Sequence, residues 1–71
     1  MTPDHLQALM KKHEIRHRDL AFITGRTERA VHQWVHGHRP LPRSTCLLLE
    51  ALDEGLISER WLATKLSRHL V

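Results

Sequence analysis

The stretch Leu20-Ala21-Phe22-Ile23-Thr24-Gly25-Arg26-Thr27-Glu28-Arg29-Ala30-Val31-His32-Gln33-Trp34-Val35-His36-Gly37 decides how this chain folds. Gly25 marks a point where the backbone turns left-handed, a common way for a helix to end. Two residues later Thr27 offers a hydroxyl to the first free N–H groups of a new helix. That helix is predicted to run from the Thr27 cap to about His36, where Gly37 stops it. At roughly 100° per residue, Glu28, Arg29, His32, Gln33 and His36 share an arc of roughly 140°. Ala30, Val31, Trp34 and Val35 fill the opposite arc, so one face packs and the other points outward. Before the glycine, a short helix is predicted over about His17 to Thr24. Its apolar residues Leu20, Ala21, Phe22 and Ile23 point almost all round, which predicts a helix pressed between neighbours.

Working outward, every boundary signal is helical. Thr2-Pro3 is a hydroxyl cap followed by proline at the first helical position, where its missing N–H is harmless. Leu6, Leu9, Met10 and His13 share a stripe on the helix this opens, predicted to end near His13, with Ile15 as an anchor in the turn beyond. Pro40 and Pro42 stiffen a turn ahead of a fourth helix, about Arg43 to Glu54, rich in leucine (Leu47, Leu48, Leu49, Leu52) and stopped by Gly55. Ser58 caps a fifth helix predicted to run to residue 71. Its leucine stripe (Leu62, Leu66, Leu70, with Ala63) lies away from Trp61, so it has two apolar faces. No segment alternates with strand period. The prediction is one all-α domain of five helices over residues 1–71, with the two central helices at about 17–36.

A chain of 71 residues buries only about 60% of the surface it exposes when unfolded, and such domains often lean on a metal, a disulfide or a partner subunit. One cysteine, Cys46, forms no internal disulfide and reads as a small, partly buried residue among leucines. No apolar run approaches the ~20 residues of a membrane span. Met1-Thr2-Pro3-Asp4-His5 lacks the layout of a secretion signal, so a cytoplasmic location and no membrane partner are expected. Net charge is +3, and the excess is concentrated: the segment from Arg16 to Arg43 carries +4 and the remainder −1. Four of the seven histidines (17, 32, 36 and 38) lie in that basic segment, ready to add charge as pH falls. A basic block can be merely a solvated face; concentrated on one pair of helices, it points to an anionic partner.

Two short helices joined by a glycine turn, the second polar on its outer side, describe a helix-turn-helix unit. Leu20-Ala21-x-x-x-Gly25-x-Thr27-x-x-x-Val31-x-x-Trp34-x-x-Gly37-x-x-Pro40 resembles the Cro/CI-type (XRE-type) repressor family over about residues 5 to 56. In that family Ala21 would be the small residue where the recognition helix crosses, and Leu48 and Leu52 suit the next packing helix. Two positions depart from the pattern. Arg16 stands where the family has a hydroxyl or amide cap, with Asp19 able to compensate by charge. Arg26 replaces the aliphatic residue after the turn glycine.

The resemblance implies a lambda-repressor-like domain that binds double-stranded DNA, with helix 27–36 in the major groove. Glu28, Arg29, His32 and Gln33 would then read base edges, Arg29 by gripping a guanine. His17, Arg18, Arg26, Thr27, His36, His38, Arg39 and Arg43 would hold phosphates, which fixes position rather than sequence. Such regulators, bacterial or phage in character, typically bind inverted repeats as homodimers and most often repress. Trp61, Leu62, Leu66 and Leu70 are the expected dimer interface; the plainer alternative is that they only complete the monomer core.

Other readings compete. His13-Glu14-Ile15-Arg16-His17 matches the H-E-x-x-H zinc-protease signature literally. That chemistry needs both histidines on one unbroken helix, a third ligand and a cleft; here the motif spans a turn, so no enzyme is expected. His32 and His36 have the i, i+4 spacing of a metal pair with His38 nearby, but DNA-backbone contact explains them better, and no metal or cofactor is expected. The serious alternative is an antitoxin-like or phage-encoded accessory module whose main partner is another protein.

Overall fold

The computed structural model describes residues 1–70, with side chains as far as residue 67. Five helices follow in order: α1 (Pro3–Lys12), α2 (His17–Thr24), α3 (Glu28–Val35), α4 (Arg43–Asp53) and α5 (Glu59–Leu70). The described residues contain no strand. The caps explain where the helices begin. The Thr2, Thr27 and Ser58 hydroxyls accept hydrogen bonds from the N–H groups of His5, Ala30 and Trp61 at 3.1, 3.1 and 3.0 Å. Each satisfies a donor that the first helical turn leaves free.

The first four helices end by one shared device. In each, an N–H bonds five residues back across a residue in the left-handed region: Ile15 to Met10, Arg26 to Ala21, His38 to Gln33 and Leu56 to Ala51, at 2.8 to 2.9 Å. This is the Schellman termination. The left-handed residue is Gly25, Gly37 or Gly55 in three cases and Glu14, at φ 55°, in the fourth.

The core gathers Leu6, Leu9 and Met10 from α1, Ile15 from the turn, and Leu20 and Ala21 from α2. Val31, Trp34 and Val35 of α3, Leu49 and Leu52 of α4, and Leu62 of α5 complete it. With a radius of gyration of 11.4 Å, the chain is as tight as the roughly 11 Å expected for its length. Polar ties cross between helices. The Gln7 amide donates to the Val35 carbonyl at 2.9 Å, fixing the middle of α1 to the end of α3. Lys12 pairs with Asp53 at 2.8 Å, and the buried His13 ring reaches Asp53 at 3.2 Å and Glu59 at 2.8 Å. One imidazole therefore clasps the ends of α1 and α4 to the start of α5.

Two expectations need correction. Leu62 is only 6% exposed and lines a narrow apolar gap with Ile15, Leu20, Ile23, Leu49 and Leu52. It packs into the monomer core rather than standing exposed on an outer face; Leu66 is half-buried against the same core. Phe22 is 41% exposed, so α2 is not enclosed all round: Asp19, Leu20 and Ala21 face inward and Phe22 outward. Leu47 is likewise half-exposed on α4. The side chain of Leu70 lies outside the described residues. No helix among the described residues is long and apolar enough to cross a membrane.

Candidate nucleic-acid interface

The turn that aims α3 is only Gly25 to Thr27. Its first residue is left-handed at φ 70°, which lets the chain reverse between two helices packed closely on one another. Ala21, buried where α2 meets α3, keeps the helices close because it has no bulk beyond Cβ. Val31, Trp34 and Val35 seat α3 against the core. Its other face is left to solvent. Glu28, Arg29, His32 and His36 are exposed along it and Gln33 is half-buried, as the helical wheel predicts.

The packing of α2 on α3 brings together residues that are distant in sequence. The His17 ring, in the first turn of α2, lies 6.1 Å from that of His32 in an edge-on arrangement. His32 and His36 stand 4.1 Å apart, and His36 and His38 6.1 Å apart. Four imidazoles thus form one continuous row from the start of α2, along α3, into the turn that follows. Arg18, Arg26, Arg29, Arg39 and Arg43 are all exposed. The ion pairs of the described residues lie elsewhere: Lys12 and His13 with Asp53, His13 with Glu59, and Arg16 with Asp19. The basic segment therefore keeps five guanidinium groups unneutralised. Arg43 opens α4, whose cap residue Pro42 provides no side-chain acceptor.

Asp19 has a role that reading by charge missed. Its Oδ2 accepts from the Arg16 backbone N–H at 3.0 Å and from Arg16 Nε at 3.2 Å, closing the start of α2 from inside the helix. The carboxylate is buried, and its Oδ1 has no hydrogen-bond partner among the described residues. The Asp19 position, three residues after the cap, was the available signal.

No family model matches the chain. No curated protein or solved structure matches it either.

The zinc-protease signature is split by the fold. His13 follows the end of α1, Glu14 is left-handed, and His17 begins α2, so the two histidines share no helix. Among the described residues no three histidine, cysteine, aspartate or glutamate side chains converge to hold a metal ion. A second surface is apolar. Phe22, Ile23, Trp61, Leu62 and Lys65 line a hollow of about 300 Å³, and Trp61 continues into another with Leu56 and Ile57. Trp61 is 49% and Leu56 79% exposed. Lys65 Nζ sits 5.4 Å from the Trp61 ring centre, a cation–π contact one helical turn away.

Proposed function

We propose that this chain is a sequence-specific double-stranded DNA-binding regulator of the lambda-repressor-like, Cro/CI type, built on a helix-turn-helix formed by α2 and α3. The observation that carries the reading is the outward face of α3. It is a seated helix with exposed Glu28, Arg29 and His32, joined by the imidazole row to His17 and His38 and flanked by unneutralised arginines. Such a helix suits the major groove, where base edges carry a distinct donor and acceptor pattern. Arg29 and Gln33 have the side chains to read it. Arg18, Arg26, Arg39 and Arg43 supply the phosphate grip, with His17, Thr27, His36 and His38 beside them.

The active form is a homodimer on an inverted repeat, its half-sites about one helical turn (~34 Å) apart. The apolar strip of Trp61, Leu56 and Phe22 is the face offered to the second copy; it keeps Trp61 of the interface inferred from the sequence and adds Leu56 and Phe22. Repression follows most simply, because a bound dimer blocks polymerase without further surfaces. The same strip also favours one other reading, an accessory module that uses it to hold a different protein.

Selection of binding sites from a random duplex pool tests the proposal. An enriched inverted repeat supports dimeric, sequence-specific binding. Retention that is sensitive to salt but not to sequence rejects it.

A further inference from the structure

We propose that His32 and His36 form a two-imidazole chelate for a borderline divalent cation such as Zn²⁺, seated on the outer face of α3. This goes beyond DNA recognition and does not depend on it. Both rings are exposed, lie one helical turn apart, and have centres 4.1 Å from each other at a 52° tilt. Two imidazoles holding one tetrahedral cation at about 2.0 Å from each nitrogen have ring centres roughly 5 Å apart. The pair therefore needs to open by less than about 1 Å, which exposed side chains achieve by small rotations within their wells. The backbone that carries them is fixed, because Val31, Trp34 and Val35 anchor α3 in the core.

The charge around the pair is mixed. Glu28 stands one turn before His32 on the same stripe and supplies a negative neighbour. Arg29 stands three residues before His32, and its repulsion keeps the affinity moderate. Among the described residues no third ligand converges, so water completes the coordination and the cation remains exchangeable. The other histidine–carboxylate group of the fold cannot serve in the same way. His13 directs its two nitrogens at two different carboxylates, so they share no point where a cation would sit.

The distinguishing property is chelation. A second ligand on the same rigid helix binds at high effective concentration, so a pair holds the cation far better than either ring alone. The test is calorimetric titration of the full chain with ZnCl₂, with histidine ring resonances followed in parallel by NMR. The His32 and His36 rings are expected to respond first, and His36→Asn to weaken Zn²⁺ binding at least about tenfold. His32→Asn should match it, and the double variant should lose little more than either single one. Circular dichroism checks that each variant remains helical, as expected for exposed positions. The proposal is overturned if His36→Asn binds Zn²⁺ within about twofold of the parent, or if the first resonances to move belong to His5 or His13. Since the ligand is the cation alone, failure here leaves the DNA reading standing, and failure of that reading leaves the chelate standing.

Discussion

Glu14 holds a backbone conformation, φ 55°, that its three counterparts assign to glycine. A side chain in the left-handed region costs roughly 1–2 kcal/mol. Glu14→Gly should therefore stabilise the chain by about 0.5–1 kcal/mol once the greater freedom of unfolded glycine is offset. The check is a higher urea midpoint at unchanged slope. Gly25→Ala is the converse. A Cβ there meets nothing within 4 Å, so the loss of about 1–2 kcal/mol is purely a backbone effect. Glycine flagged three of the four helix ends in the sequence; Glu14 carried no such flag, because only the hydrogen bonds around it reveal the shared termination. For recognition, Arg29→Ala should weaken a selected site about 5- to 150-fold relative to random duplex. Equal losses on both would remove Arg29 from base reading. Arg43→Ala should instead weaken all sequences alike and lower the salt dependence by about one charge.

At the scale of elements, the helices were legible because every start but that of α2 carries a hydroxyl cap or a proline and most ends carry a glycine. What periodicity left open was which apolar face turns inward. On α5 a leucine stripe and a tryptophan compete, and only the position of α2 and α4 decides that Leu62 is enclosed while Trp61 is not. Leu62→Ala should accordingly destabilise the monomer by about 2–5 kcal/mol. Trp61→Ala should preserve the fold and reduce self-association measured by sedimentation; unchanged association would exclude that face from the dimer. The clasp between α1, α4 and α5 was equally hidden, since His13 looked like one more member of an apolar stripe. It has a pH signature. Lys12 first, then His13, hydrogen-bonds the Asp53 carboxylate and holds its pKa below the usual value of 3.8. A lowered carboxylate pKa stabilises the fold above the unfolded value and loses that contribution as pH falls through the folded one. The stability gap between the parent and Asp53→Asn should therefore be steady near neutrality and close below about pH 4. A gap that persists there would show that Asp53 does not act through its charge.

Over the whole molecule, charge is unevenly divided. Five of the six guanidinium groups of the central segment have no ion-pair partner among the described residues, Arg16 alone pairing with Asp19, whereas the other ion pairs draw on acids beyond it. The sequence disclosed this division as a count of charges along the chain. It did not disclose the row of imidazoles, because His17 reaches His32 only through the packing of two helices.

The repeated Schellman ending has a consequence for how quickly the chain finds its fold. Each of those four stops is made by hydrogen bonds spanning five residues or fewer, and four of the five starts, all but that of α4, are closed by a side chain three residues away. The positions where the helices stop are thus set by neighbours along the chain. Little loop entropy remains to be lost when the core closes, and chains rich in such local contacts fold in microseconds to milliseconds.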